Sequence, residues 1–173
     1  MGVNIQFVNN LNLDSLRKDF EKGSMLKGYL KKVEERYYVK DLDTYMFIPI
    51  VVSKYELNAS EFYEMRLNEL VEYKLIRFTS KNMIWGLLCH RQFSDRFNGI
   101  MSGETMKGEL LRRVKGGYSV EFGDGESGFI PGSMAGLNHT DDCSGVRVDM
   151  RCTGYHEYYD TFVFEVISAA KSF

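Results

Sequence analysis

The sequence has little proline, little cysteine and no long apolar run. Its two prolines, and the absence of low-complexity segments, argue against long disordered linkers in a chain of 173 residues. The longest apolar stretch, residues 45–52, is too short to span a bilayer and contains Pro49, so no membrane partner is predicted. Three cysteines, behind a start that lacks the cationic and apolar regions of a secretion signal, indicate free thiols in a reducing compartment.

The charge is nearly balanced but unevenly distributed. A net charge of −2 excludes a uniformly basic nucleic-acid binder. Residues 107–115 nevertheless hold four basic side chains against Glu109 alone, whereas residues 41–72 hold seven acidic and two basic ones. Two interpretations stay open: ordinary solvated strand faces, or a small RNA-facing patch on a protein whose other surfaces meet protein.

The segment GDGESG, residues 123–128, matches the G-x-G-x-x-G pattern of phosphate-binding loops. Such a loop needs a following helix whose N-terminus holds the phosphates. Here the next residues, FIPG at 129–132, indicate a short strand that ends in a turn. Asp124 and Glu126 would also repel a phosphate. We therefore predict a β-hairpin turn and no nucleotide cofactor.

The sequence contains an internal repeat with an offset of about 80 residues. GSMLKG at 23–28 is echoed by GETMKG at 103–108, and FIP at 47–49 returns at 129–131. Two further strands follow in each copy, at roughly 70–78 and 83–89 in the first and at 146–152 and 161–167 in the second. Five short strands per copy, without long helices, predict a small closed barrel. Two such barrels account for the whole length.

The second copy carries VKGGYSV at 114–120 and GFIPGS at 128–133. This pair of motifs resembles the S-one RNA-binding domain family, and within it the first two domains of bacterial-type ribosomal S-one proteins. The resemblance covers about residues 13–167. The first copy is more degenerate, because Glu35 and Arg36 stand where the second has its pair of glycines. The resemblance implies an all-β chain of two tandem five-stranded barrels of the oligonucleotide/oligosaccharide-binding (OB) type, preceded by a short N-terminal helix. Phe62, Met65 and Arg66 lie at helical spacing within residues 59–67, which predicts a helical lid packed on the first barrel.

The expected domains are a helical tether at 1–22, a degenerate OB domain at 23–92, a linker at 93–102 and a second OB domain at 103–173. Leu13, Leu16 and Phe20 form one apolar stripe on a helix too short to be stable alone, so they must pack on the chain's own barrel or on a partner. The resemblance implies the partner, a neighbouring small-subunit protein of the S-two type.

The resemblance also implies a function. It predicts a non-enzymatic small ribosomal subunit protein, anchored through its helix and first barrel, that contacts ribosomal RNA during translation, with messenger RNA as a second candidate partner. The expected location is the ribosome, in the cytoplasm of a bacterium or the matrix of an organelle such as the mitochondrion. Two alternatives stay open: an off-ribosome RNA-binding regulator of transcription or RNA decay, and an accessory domain of an enzyme whose catalytic partner is another chain.

In OB barrels the outer face of strands two and three supplies aromatic rings for stacking and cations for phosphates. On this basis the candidate RNA-binding residues are Lys107, Arg112, Arg113, Lys115, Tyr118, Phe122 and Phe129. Tyr118 is the preferred stacking platform, because it follows the glycine pair. Many RNA-binding members of the family carry Phe where this chain has Gly116 and Ser119, and His where it has Pro131. These departures favour anchoring to the ribosome over strong capture of free RNA.

Candidate catalytic and metal-binding sets are weak. No catalytic order of Ser, His and Asp, or of Cys and His, stands out, and we predict no catalytic residue. The set His139, Cys143, Cys152 and His156 offers four soft ligands that could hold zinc. It lacks a C-x2-C knuckle, and a buried thiol at a strand end is ordinary. No metal and no cofactor are therefore predicted.

Overall fold

The computed structural model describes residues 10–136 and 144–169. The chain divides into two compact units, residues 1–92 (unit 1) and 93–173 (unit 2). Within the described ranges, no helix is both long enough and apolar enough to cross a membrane.

Unit 1 is a five-stranded sheet with two helices. Its elements are α1 (Asn10–Lys22), β1 (Leu26–Val33), β2 (Arg36–Asp41), β3 (Phe47–Pro49), α2 (Ala59–Met65), β4 (Leu70–Phe78) and β5 (Ile84–Leu88). The strand order is β3-β2-β1-β4-β5. The two outer strands meet only at a parallel bridge between Ile50 and Gly86, where Val51 N donates to the Gly86 carbonyl at 2.9 Å. Closure is this limited because β3 has only three residues and ends at Pro49, which has no N–H to donate.

The core of unit 1 follows from the alternation of side chains along each strand. Leu30, Val39 and Ile48 pair across β1, β2 and β3, and all three are buried. On α2, the predicted lid, Tyr63 is fully buried, with its ring centroid 4.8 Å from that of Tyr37 on β2. The lid therefore adds an aromatic pair to the sheet's core.

Helix α1 packs on unit 1 itself. Leu16 is 1% exposed within the core cluster, and Leu13 and Phe20 pack against that cluster. The rings of Phe20 and Phe78 lie 6.3 Å apart, and the Arg17 guanidinium stacks 4.2 Å above Phe78. These contacts correct the prediction that Leu13, Leu16 and Phe20 dock on a partner subunit, because Leu16 is buried in the chain's own core and the other two are partly buried against it.

Unit 2 is a closed five-stranded barrel. Its elements are α3 (Asp95–Met101), β6 (Met106–Val114), β7 (Gly117–Phe122), β8 (Glu126–Pro131), β9 (Arg147–His156) and β10 (Thr161–Ala169). The strand order is β10-β8-β7-β6-β9, closed by the antiparallel β9–β10 ladder and by a parallel pairing of Val163 with Phe129. The expected OB-type barrel is confirmed in unit 2. In unit 1 the strand order is equivalent, but the sheet does not form a closed barrel, and the bridge between Ile50 and Gly86 lies beyond the end of β3.

Glycines have two structural roles in unit 2: they allow a positive φ in a turn, and they leave room for close packing. In the β7–β8 turn, Gly123 and Gly125 have φ of +60° and +77°, a region that favours glycine. Gly128 instead lies inside β8, where a Cβ would come within 2.5 Å of the Phe164 ring. The GDGESG segment is thus a hairpin connection followed by a strand, as the sequence predicts.

Residues 93–102, expected as a linker, contain α3. The Ser94 hydroxyl caps this helix by accepting from Phe97 N at 3.2 Å. Phe97 and Ile100 are buried, and the Phe97 ring stacks on Phe93 at 4.3 Å and meets Tyr155 edge-on at 5.0 Å. The segment is a folded part of unit 2 because these rings pack onto the barrel.

Candidate nucleic-acid interface

The predicted aromatic residues of unit 2 do not share one face. Tyr118 and Phe122 alternate with Ser119 along β7 and point into the barrel, where each is 2% exposed. Neither ring is available for stacking, so the structure corrects the choice of Tyr118 as a platform. Phe129 on β8 has the opposite parity and is half-buried on the outer face. It is the one predicted aromatic on the outside of the barrel.

The predicted basic residues of unit 2, Lys107, Arg112, Arg113 and Lys115, are all exposed. Only Arg112 falls in a row with the outward aromatic, because Arg112 pairs with Ser119 and Ser119 with Phe129. The pairing register of β6 against β7 shifts between Leu110 and Arg112, and this shift determines which later residues of β6 face outward. The guanidinium of Arg113 consequently lies 5.8 Å from the inward Tyr118 ring. Lys115 lies in the β6–β7 turn, and Lys107 near the start of β6, opposite Asp149.

Carboxylates occupy the middle of this outer face. Glu109 on β6 lies directly opposite Glu121 on β7, an arrangement that repels phosphate and slightly weakens the strand pair. By sequence, unit 2 carries 8 Lys and Arg against 12 Asp and Glu. The face predicted to bind RNA therefore has mixed charge.

The equivalent outer face of unit 1 is different. By strand parity its outward positions are Lys27, Tyr29 and Lys31 on β1, Arg36, Tyr38 and Lys40 on β2, and Phe47 and Pro49 on β3, although the Tyr38 side chain is itself buried. We call this set the lysine–aromatic face. No carboxylate occupies an outward position on these three described strands between Lys27 and Pro49.

Cations and rings alternate on the lysine–aromatic face both along and across the strands. In one row Tyr29 pairs with Lys40, and Lys40 with Phe47. In the next row Lys31 pairs with Tyr38, and Tyr38 with Pro49. Neighbouring strands lie about 4.8 Å apart. Each ring therefore has a cation beside it, close enough to contact the phosphate of a nucleotide stacked on that ring. Tyr29 is 41% exposed.

Comparison with known proteins gives limited matches. No family model matches the chain, and no curated protein matches it. Among solved structures, a multidomain protein with nucleic acid binding domains from Streptococcus pneumoniae is 19% identical, with a TM-score of 0.33, and the match covers 87% of this chain and 52% of that one. A Drosophila Unr structure, CSD456, is 10% identical with a TM-score of 0.30, covering 87% of this chain and 64% of that one. The apo form of Mycoplasma genitalium RNase R is 9% identical with a TM-score of 0.27, covering 83% and 21%. The chain thus spans less than two thirds of each of these proteins.

The sequence repeat does not predict the lysine–aromatic face. Tyr37 and Tyr118 hold equivalent places in the β1–β2 and β6–β7 ladders, yet Pro49 pairs where Phe129 pairs in unit 2. The shared Phe-Ile-Pro motif is therefore displaced by two residues between the units, because the β2–β3 connection is longer than the β7–β8 turn. The signal that could have revealed the face is the strict alternation of Lys or Arg with Tyr along β1 and β2.

A second ionic cluster at the edge of unit 1 is engaged within the protein. Lys32 Nζ lies 2.5 Å from Glu64 Oε1, which also accepts from the Tyr37 hydroxyl at 2.8 Å. The hydrogen bond from Lys32, followed by that from Tyr37, holds the pKa of Glu64 below its usual value. Lys32 is in turn favoured in its charged form, chiefly by Glu64, which raises its pKa. We therefore do not count Lys32 among the cations offered to RNA.

The zinc set falls partly outside the described residues, since His139 and Cys143 lie at 137–143. Within 10–136 and 144–169, no three His, Cys, Asp or Glu side chains converge on a metal position. The Cys152 thiol donates to the Gly154 carbonyl at 3.1 Å, and burial raises its pKa. Cys152 thus behaves as a packed, protonated thiol.

Proposed function

We propose that this chain is a non-enzymatic RNA-binding protein whose main contact is the lysine–aromatic face of unit 1. The observation that carries the proposal is the alternation of cations and rings on three strands without an outward carboxylate. Rings such as Tyr29 and Phe47 offer π-faces on which bases can stack. The intervening Lys31 and Lys40 can neutralise phosphates and release counterions.

The arrangement favours a single strand over a duplex. Bases in a duplex are stacked on each other and cannot lie flat on a side chain, whereas an unpaired strand can place successive bases on successive rings. The preference for RNA over DNA is carried over from the family resemblance. In unit 2, the row of Arg112, Ser119 and Phe129 supplies a smaller contact of the same kind.

The finer proposal is a small ribosomal subunit protein of the S-one type, bound to ribosomal RNA and, as a second candidate, to messenger RNA. The motifs VKGGYSV at 114–120 and GFIPGS at 128–133 support it by resemblance. The location would be the ribosome of a bacterium or of an organelle such as the mitochondrion. A partner of the S-two type would contact a surface other than the buried stripe of α1.

One observation favours an off-ribosome regulator of transcription or RNA decay as the second candidate. Leu16 and its neighbours on α1 are occupied within unit 1, which removes the apolar contact expected to tether the chain to a subunit. An independent RNA-binding module needs no such tether.

The first experiment measures fluorescence anisotropy of a labelled single-stranded RNA of about 12 nucleotides, a length within the site sizes of OB folds. We expect binding that weakens steeply with salt and a clear preference over a duplex of equal length. Equal affinity for both, or no binding at low salt, would contradict the RNA-binding proposal.

The second experiment separates the two cellular roles. A ribosomal component should co-sediment with small subunits through moderate salt, together with ribosomal RNA. A regulator should remain at the top of the gradient while still binding free RNA.

A further inference from the structure

Unit 1 differs from unit 2 where the first sheet fails to close. In unit 2, β8 and β10 pair directly at Phe129 and Val163, within both strands. In unit 1, β3 ends at Pro49, and the bridge to β5 that the described residues form lies beyond that end, between Ile50 and Gly86. The chain then leaves the sheet through residues 51–58 to enter α2. A groove of about 710 Å³ lies among β2, β3, β5 and the start of α2.

The lining of this groove is predominantly aromatic and apolar. It includes Tyr38, Phe47, Pro49, Val52 and Trp85. Tyr38 is outward by strand parity but only 6% exposed, as expected of a ring in the floor of a depression. Trp85 alternates with buried neighbours along β5 and is itself partly exposed.

The groove is continuous with the lysine–aromatic face, because Tyr38, Phe47 and Pro49 belong to both. Arg36 contributes a cation to its lining. Lys32 and Glu35 also line the groove, 3.6 Å apart, although Lys32 pairs more closely with Glu64. The lining therefore holds two cations, Lys32 and Arg36, against the one carboxylate of Glu35, and its net charge does not repel an anionic strand.

We infer that the groove receives one nucleobase, turned out of a single-stranded RNA that lies on the lysine–aromatic face, with Trp85 as its stacking partner. The inference rests on the proposed function and adds a specific site to it. Tyr29 is 41% exposed and does not line the groove, so a base stacked on it would stay largely in water. A base in the groove would contact several lining side chains besides Trp85, so its loss should cost more affinity.

Trp85 is the only tryptophan in the chain, so its emission reports on the groove alone. The full chain is titrated with a single-stranded RNA and with an abasic strand of equal length and charge. We expect the RNA to quench Trp85 emission in step with binding measured by anisotropy. The abasic strand should bind more weakly, through its phosphates, and leave the emission unchanged.

Substitutions supply the second measurement. Trp85→Ala should weaken RNA binding at least about fivefold, the lower end of what one stacked base contributes. Leu87→Ala is the matched control, because Leu87 is the next outward residue of β5 and is not part of the groove lining. Thermal melting checks the fold of each variant. Trp85→Phe, which keeps a ring, should bind with intermediate affinity and replaces Trp85→Ala if the latter is unfolded.

RNA binding with unchanged Trp85 emission would overturn the groove inference and leave the proposed function standing, as would equal quenching by the abasic strand. Affinities of the Trp85 variants equal to that of Leu87→Ala would have the same consequence. Absence of RNA binding by anisotropy would overturn both.

Discussion

At the residue scale, Asp41 shows how a buried charge is held in unit 1. The residue is 3% exposed, and both of its carboxylate oxygens accept hydrogen bonds. Oδ1 accepts from the Tyr73 hydroxyl at 2.5 Å, and Oδ2 accepts from Thr44 N and Thr44 Oγ1 at 2.9 Å each. These bonds fix the start of the β2–β3 connection, whose length sets the position of Phe47 on the lysine–aromatic face.

Tyr73→Phe should therefore destabilise unit 1. The substitution leaves a buried carboxylate oxygen without its donor, which costs about 1–3 kcal/mol. Urea denaturation measures the loss. Tyr29→Phe is the control, because Tyr29 is exposed and should change the free energy of unfolding by less than about 0.5 kcal/mol. A Tyr73 variant as stable as the control would show that the bond contributes nothing net.

The same tyrosines predict a pH dependence. Burial is the largest cause that raises the pKa of Tyr63 and Tyr73, and the neighbouring carboxylates of Glu56 and Asp41 add to it. Because the folded protein holds these protons more tightly than the unfolded chain, their contribution to stability is complete below about pH 10, the ordinary tyrosine value. It should fall as the pH rises above that value. Tyr73→Phe should reduce the alkaline slope of the unfolding free energy, and an unchanged slope would contradict this assignment.

Gly125→Ala should cost about 1 kcal/mol or more. Nothing lies within 4 Å of the added Cβ, so the cost comes from its φ of +77° alone. Thermal denaturation of the chain gives the measurement, with Asp124→Ala in the same turn as the control that keeps a negative φ. Equal melting temperatures for the two variants would mean that the turn relaxes.

At the element scale, alternation and spacing predict most of the strands. β4 (Leu70–Phe78) and β5 (Ile84–Leu88) lie where the sequence places them, and the lid helix begins at Ala59. Alternation cannot say which parity faces inward, so Tyr118 was assigned to the wrong side of β7. Nor can it reveal the register of β3 against β2, which the length of the intervening connection determines. For these two reasons the sequence predicts the site in unit 2, whereas the lysine–aromatic face that we propose as the main contact lies in unit 1.

Deletion of α1 should unfold unit 1 rather than detach an intact protein from a partner. Without Leu16 and Phe20, apolar side chains such as Phe78 lose their cover. Nuclear magnetic resonance of the chain lacking residues 1–22 should show collapsed dispersion for unit 1 and unchanged signals for unit 2. Leu11→Ala, at a position 74% exposed on the same helix, should leave both sets of signals in place. Two well-dispersed units after the deletion would restore the tether hypothesis.

At the scale of the whole molecule, the small net charge is the sum of a positive charge on unit 1 and a negative charge on unit 2. Unit 1 carries 14 Lys and Arg against 12 Asp and Glu, whereas unit 2 carries 8 against 12. The outer faces differ in the same sense, since Glu109 and Glu121 face each other in unit 2. An anionic polymer should therefore associate first with unit 1, and the average charge of the chain says little about its affinity.

Paired substitutions in the two units test this order. Lys31→Ala with Lys40→Ala removes two cations from the lysine–aromatic face, and Arg112→Ala with Lys115→Ala removes two from unit 2. If each lysine neutralises one phosphate, the first pair should lower the salt slope of single-stranded RNA binding by about 1.4, because each contact contributes about 0.7. The second pair should change it less, since Glu109 and Glu121 already oppose phosphates there. Anisotropy titrations over a series of salt concentrations measure both slopes. A larger change of the salt slope from the unit 2 pair would show that the basic strand of unit 2 is the main interface and that the carboxylates there do not govern binding.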